Sequence, residues 1–374
     1  MAGTPGPDGP FEIFLAAPPG LEPVLADEAR EAAFDVAGTV PGGVLARGGW
    51  PEVWRANLEL RGAGRVLVRL GGFPAVHLAQ LDKRARRMAW RSVFRADVPV
   101  RVEASCRRSR IYHEKAAAER VGRALADAGV PVSEEAELRL LVRIEENLVS
   151  FSLDSSGAPL HRRGHKQAVG KAPLRETLAA LFLRAAGYSG AEPVVDPMCG
   201  SGTFVIEAAE MAAGLAPGRS RGFAFERLES FDADRWEAMR AARAAQETPF
   251  RFQGFDRDAG AVRMSAENAA RAGVEALCVF ARQPISDLAP PEGPPGLVIA
   301  NPPYGGRIGN KGALRALYGR FGEVMRARFG GWRVALVTSE DTLARASALP
   351  LEPGPQVPHG GLRVRLWQTA GPLA

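Results

Sequence analysis

Two consecutive prolines, Pro302 and Pro303, close the apolar run Leu297-Val298-Ile299-Ala300 and constrain the chain around them more than any other feature. Proline has a fixed φ and no N–H to give to a strand ladder, so a strand over 297–300 must stop there. Asn301 is thereby held at a strand's C-terminal end, the edge where open parallel α/β sheets bind ligands. An aromatic residue, Tyr304, follows three positions later. The arrangement suits an exocyclic amino group on a flat base: the Asn301 side-chain oxygen and the Pro302 carbonyl accept its two N–H groups, and Tyr304 stacks on the ring. In isolation, a strand-ending turn with a surface tyrosine would read the same way.

A second stretch about a hundred residues upstream separates the two readings. Asp196-Pro197-Met198-Cys199-Gly200-Ser201-Gly202-Thr203 follows the apolar Val194-Val195 and precedes Phe204-Val205-Ile206-Glu207-Ala208-Ala209, a strand, a glycine loop and a helix. Gly200 and Gly202 let the backbone approach a ligand closely. A dinucleotide fingerprint would want a third glycine where Val205 stands, so a nicotinamide cofactor is disfavoured. No Gly-Lys-Ser/Thr follows, which excludes a phosphate-cradling loop. Asp196 at the strand end suits a ligand carrying positive charge, such as the ammonium and sulfonium of S-adenosylmethionine. Downstream, Phe252-Gln253-Gly254-Phe255-Asp256 reads as the next strand, and an acidic residue at its end can hydrogen-bond both ribose hydroxyls of a nucleoside. Asp258 suits the N-cap of the helix over 258–272, which leaves Asp256 for the ribose.

These residues resemble the class I amino-methyltransferases, and specifically those with an N-terminal THUMP domain that modify guanine N2 in RNA. Asp196 to Thr203 and Asn301-Pro302-Pro303-Tyr304-Gly305 carry the first part of the resemblance. Leu160-His161-Arg162-Arg163-Gly164-His165 and Ala172-Pro173-Leu174-Arg175-Glu176-Thr177-Leu178-Ala179-Ala180 carry the second. They look like the junction before the catalytic domain in the bacterial 23S ribosomal RNA (guanine-N2) methyltransferase family. The resemblance extends from about residue 11 to the end. It implies S-adenosylmethionine held by Asp196, Met198, Gly200, Gly202, Thr203 and Asp256, with Asp287 reaching the adenine amino group, a role that Ser286 or a backbone amide could also fill. It further implies Asn301, Pro302 and Tyr304 at the reacting base.

The fold expected is α/β: a C-terminal Rossmann-like class I methyltransferase domain with a mixed, mostly parallel sheet, preceded by an α+β ferredoxin-like and THUMP RNA-binding region. The boundaries read as a disordered Gly/Pro-rich 1–10, a ferredoxin-like 11–60, a THUMP domain over 61–157, a basic linker over 158–172 and a methyltransferase domain over 173–374. Within the N-terminal part, a Gly-rich segment over 38–49 separates a first strand and helix from 53–60 and 66–70. A hairpin over 138–154 turns near Glu146-Asn147. In the C-terminal part, 215–250 reads as an insertion.

Charge points to the partner. The chain carries a net +6 with a pI near 9.6, and its 43 Arg against 5 Lys reflect coding bias as much as function. Distribution is more informative: residues 1–60 hold 3 basic and 9 acidic side chains, and residues 61–110 hold 13 basic and 3 acidic. A helix over 78–94 would align Arg84, Arg87, Arg91 and Arg95 on one face. With Arg107, Arg108 and Arg110, and with Arg162 and Arg163 in the linker, these read as phosphate contacts to RNA. A solvated helix face is the plain alternative.

No apolar run reaches membrane-spanning length and no leader pattern opens the chain, so a cytoplasmic location is expected. Cys106, Cys199 and Cys278 lie far apart in no paired spacing, and His161 and His165 lack a third ligand, so no metal is expected. Cys199 as a covalent nucleophile is discounted, because it sits in the glycine loop with no base nearby in sequence. A THUMP-bearing tRNA guanine-N2 enzyme fits the same residues, and only the junction favours ribosomal RNA. DNA adenine or protein glutamine amino-methyltransferases share the Asn301 tetrad but leave the basic N-terminal region unexplained. A non-catalytic RNA-binding assembly factor is opposed by intact Asp196, Gly200, Gly202, Asp256 and Asn301.

Overall fold

The computed structural model describes residues 9–166, 174–305 and 311–374; the expected disorder of 1–8, and Lys171, Ala172, Pro173, Gly306 and Arg307, lie outside them. By their contacts the described residues form two compact units. Unit 1 comprises 9–17, 25–160 and 221–242, and unit 2 comprises 18–24, 161–220 and 243–374. This division is not linear along the chain: part of the stretch read as an insertion into the catalytic region packs with unit 1.

Unit 1 opens with β1 (Phe11–Ala16), α1 (Glu22–Glu31, shared across the boundary), β2 (Asp35–Val40), β3 (Gly43–Gly48), α2 (Trp50–Glu59) and β4 (Val66–Pro74). It continues with α3 (Leu78–Ala85), β5 (Val100–Arg107), α4 (Glu114–Asp127), β6 (Leu138–Glu145) and β7 (Leu148–Asp154). The strands form one seven-stranded sheet in the order β2-β3-β1-β4-β7-β6-β5, antiparallel except for β5 beside β6. The 38–49 segment is not a bare spacer but most of a hairpin. Val44 and Ala46 point into the core, and a side chain at Gly43 would collide with the Leu15 carbonyl oxygen, so glycine permits the close approach of β1 and β3. The β6–β7 hairpin turns at Glu146 and Asn147 as expected, both with positive φ (50° and 64°), the signature of a twist-matched two-residue turn.

The helix expected over 78–94 is corrected. α3 ends at Ala85: the Arg87 and Met88 amides turn to carbonyls three residues back, and the Trp90 indole donates to the Ala85 carbonyl at 2.9 Å. Trp90, Val93 and Phe94 are then buried at 1% exposure or less. Each gains roughly 1.5–3 kcal/mol by burial, against a few tenths per residue for continuing a helix. Burial wins, and the four arginines share no helical face.

Unit 2 contains α5 (Glu176–Ala185), β8 (Val194–Asp196) and α6 (Thr203–Ala212); α7 (Ala233–Ala241) lies in the stretch that belongs to unit 1. Then follow β9 (Phe252–Asp256), α8 (Ala259–Ala272), β10 (Cys278–Arg282), β11 (Leu297–Ala300), α9 (Lys311–Arg328) and β12 (Arg333–Thr338). The chain closes with α10 (Asp341–Ala346), β13 (Leu351–Pro353), β14 (Val357–His359) and β15 (Leu362–Thr369). The sheet order is β10-β9-β8-β11-β12-β15-β13, with β14 beside β15. The strands from β10 to β12 are parallel, and β15 is antiparallel to β12. The chain winds outward from β8 through β9 to β10, then returns to β11 on the other side of β8. The order therefore reverses between β8 and β11, and a crevice opens at that point outside the strands' carboxyl ends. No helix among the described residues is long and apolar enough to cross a membrane.

Candidate functional site

Register fixes what meets at this crevice. Val194 and Val195 pair with Leu297 and Val298, and Asp196 pairs with Gly254. Asn301 and Asp256 therefore each stand two residues past the level of Asp196, on either side of it, at one edge of the sheet.

Asp196 is 2% exposed and its Oδ1 accepts the Met198 amide at 3.0 Å. Burial pushes its pKa up to about 8 against that hydrogen bond, with the nearby Asp256 charge adding to the rise. The loop that follows turns through Gly200 (φ 54°) and Gly202 (φ 80°), both in the left-handed region that favours glycine. A Cβ on Gly202 would lie 3.0 Å from that of Ser265. Asp256 ties the loop to the next turn: Oδ2 accepts the Gly200 amide at 3.1 Å and Oδ1 the Asp258 amide at 2.9 Å. Each carboxylate oxygen keeps acceptor capacity beyond that one bond. Asp258 caps α8 as expected, accepting from the Gly260 amide at 2.8 Å. Thr203 begins α6, and its Oγ1 receives the Lys166 ammonium at 2.9 Å.

Asn301 follows β11, and its Oδ1 is buried without a hydrogen-bond partner among the described residues. A buried unsatisfied acceptor costs about 1–3 kcal/mol, so it marks a place where a donor belongs. The turn around it is held elsewhere: the Tyr318 hydroxyl lies 3.5 Å from the Pro303 carbonyl, and the Gly305 amide donates to Glu340 at 3.0 Å. Tyr304 and Met198 are partly buried against the same apolar cluster, which contains Val195, Phe255 and Val298. Burial pushes the Tyr304 phenol up to about 12, so it stays protonated and offers a ring rather than a base. Burial also raises the Cys199 thiol well above its ordinary value, which leaves no thiolate for attack. Asp287 ends a short 3-10 turn after β10, exposed, accepting the Ser286 hydroxyl at 2.9 Å.

Sequence reasoning missed the support beneath the loop. Ser265 donates to the Gly200 carbonyl at 2.9 Å and the Asn268 amide to the Ser201 carbonyl at 3.1 Å, both side chains fully buried. The available signal was two polar residues on the apolar Ala261, Ala269, Ala272 stripe of α8.

The basic residues scatter. Arg163 is corrected: it is 1% exposed and paired with Glu207 and Glu210 of α6, so it cannot reach RNA. Arg162 is exposed. Arg84 donates to the Pro74 carbonyl, Arg91 to the Phe94 carbonyl at 2.8 Å, and Arg95 pairs with Asp97 at 2.7 Å, while Arg87 is exposed. Arg107, Arg108 and Arg110 are exposed together at the end of β5.

Residues 163–350 match the RMKL-like methyltransferase domain, and residues 12–67 match the RlmL ferredoxin-like domain. The chain is 37% identical, over 96% of its length, to the ribosomal RNA large subunit methyltransferase K/L of Syntrophotalea carbinolica, of which it covers 53%. It thus spans about half the length of the curated relatives it matches. Among solved structures it is similar to a protein assigned as a methylase from Clostridium difficile 630, at 26% identity and a TM-score of 0.88 over 98% of this chain and 99% of that one. It is also similar to SMU.472, assigned to the methyltransferases and solved in complex with SAH, at 26% identity and a TM-score of 0.86 over 98% of this chain and 100% of that one.

Proposed function

This chain belongs to the RMKL-like methyltransferase family, and from that premise we propose that it transfers a methyl group from S-adenosylmethionine to the exocyclic N2 amine of a guanine in RNA, the RNA being that of the large ribosomal subunit. The observation that carries the reading is the Asn301 Oδ1, buried and without a hydrogen-bond partner among the described residues, at the end of β11 where the strand order reverses. An amino group on a flat base is the donor that suits it.

The residues present fit the cofactor. Gly200 and Gly202 keep side chains out of the loop, Asp256 offers carboxylate oxygens to a ribose, and Asp196 is a buried carboxylate suited to a cationic ligand. When bound, S-adenosylmethionine supplies a methyl group on a sulfonium. Asn301 Oδ1 accepts one amine hydrogen and the Pro302 carbonyl the other, which turns the nitrogen lone pair out of conjugation with the ring. Tyr304 holds the base by its face. No base of unusual pKa is required, because the nitrogen loses its proton to water readily once alkylated. Positioning of this kind can contribute on the order of 7–11 kcal/mol. A carboxamide rather than a carboxylate at 301 avoids burying a charge. The names of the curated relatives support ribosomal RNA as the substrate, and a ribosomal substrate supports the cytoplasm as the place of action.

Asn301→Ala tests the reading. SAH binding by calorimetry is expected to be unchanged, while single-turnover methylation of large-subunit ribosomal RNA falls on the order of 100-fold or more. Nucleoside mass spectrometry identifies the wild-type product as N2-methylguanosine. A near-wild-type rate for the variant would remove Asn301 from the reacting centre.

A further inference from the structure

Beside the three arginines that end β5 stands a residue with no role so far. Tyr112 is 71% exposed, the highest exposure of any large apolar side chain among the described residues. Its ring lies 4.1 Å from that of His113 at 41°, and most of it is open to solvent. An exposed aromatic among exposed arginines is the chemistry of single-stranded nucleic-acid binding: ring faces stack on bases and guanidinium groups hold the phosphates between them.

The loop that carries it is built to a fixed shape. The Glu146 amide donates to the Arg107 carbonyl at 3.3 Å, and the Asn147 amide to Ser109 Oγ at 3.0 Å. Ser109 Oγ in turn donates to the Arg107 carbonyl at 2.8 Å, and the Arg110 amide donates to Asn147 Oδ1 at 2.9 Å. The β6–β7 turn thus clamps the loop from one side. Ile111, 3% exposed, anchors it from below, and Glu114 holds it at the helix end by accepting the Cys106 amide at 3.2 Å. Arg108 is held at φ 45° in the left-handed region, where a long side chain is strained, and among the described residues its guanidinium pairs with the exposed Glu146 at 4.0 Å. A loop fixed by its backbone, with its arginines and its tyrosine turned outward, loses little freedom when a ligand binds.

We propose that residues 107–112 form a docking surface for an unpaired stretch of RNA. Tyr112 stacks on one nucleobase, and Arg107, Arg108 and Arg110 contact the phosphates on either side of it. The proposal rests on the RNA reading of the function and narrows it, because a ring can stack on a base only where the strand is not paired. Tyr112 belongs to unit 1 and Asn301 to unit 2.

The test uses the full chain and fluorescence anisotropy with one labelled oligoribonucleotide, single-stranded and annealed to its complement. Tyr112→Ala is expected to weaken single-strand binding roughly 5- to 100-fold and to leave duplex binding within about twofold. Tyr112→Phe, which keeps the ring, should bind as wild type. Replacing Arg107 and Arg110 together by alanine should reduce the salt slope by roughly 1 to 2 units. Equal single-strand affinity for Tyr112→Ala and wild type, equal loss on both RNA forms, or a Phe variant as weak as Ala would overturn the proposal. A wild-type chain that binds neither RNA form would instead overturn the functional reading on which it rests. All three side chains changed here are exposed, and circular dichroism checks directly that the variants keep the fold.

Discussion

Asp196 is a carboxylate that no cation faces among the described residues, and its protonation couples to stability. Its folded pKa is raised to about 8 and an unfolded aspartate titrates near 3.9, so the folded chain holds a proton that the unfolded chain has released. The contribution is complete below the unfolded value and is lost as pH rises through that window towards 8, at up to about 1.4 kcal/mol per pH unit. Asp196→Asn mimics the neutral acid and removes this dependence. Its melting temperature without ligand is expected to overtake that of wild type increasingly from pH 4 to 8 and then to level off. Parallel curves across that range would show that Asp196 is not held neutral. Each oxygen of Asp256 already accepts a backbone amide. Asp256→Ala should weaken SAH binding by about 1–3 kcal/mol, through lost ribose contacts and a loosened glycine loop, and leave RNA affinity alone. Calorimetry that returned wild-type SAH affinity would assign the ribose elsewhere.

Helices and turns show which local features could be read from residue order. The Glu146-Asn147 turn was legible because alternation and turn chemistry are local properties. Arg163 was not legible. In a run of Arg, Gly, His and Lys it looks like a solvated contact, but its partners Glu207 and Glu210 lie 44 and 47 residues downstream. The one available hint was that α6 carries two glutamates three apart on a helix otherwise almost wholly apolar, which a buried helix permits only if cations meet them. Glu210 is further bound by Arg219 at 2.5 Å, with His165 at 3.6 Å. Removing Arg163 therefore leaves buried carboxylates undercompensated. Arg163→Met is expected to cost about 3–5 kcal/mol in urea unfolding, where an RNA-contact role would predict less than about 0.5. The end of α3 was hidden for a related reason: Trp90 stops the helix through a tertiary burial that periodicity cannot reveal.

At the scale of the molecule, the order of chemistry along unit 2 was readable because the strand ends carry it, and Asp196, Asp256 and Asn301 each close an apolar run. The sheet order that brings them to one edge was not readable from any single run; it follows from pairing. Unit 1 is written in separated stretches of chain, with unit 2 residues between them. Its Trp54 packs on Phe225 at 6.0 Å, and Phe225 on Trp236 at 5.0 Å. Translation proceeds from the N-terminus at about 5–20 residues per second, so Trp54 must wait for partners made more than 170 positions later. In that interval β8, the glycine loop and α6 have already been made. Neither unit is a contiguous cassette: a cut at Leu160 strips unit 1 of Phe225 and Trp236, and recombination between relatives must exchange the interleaved stretches together.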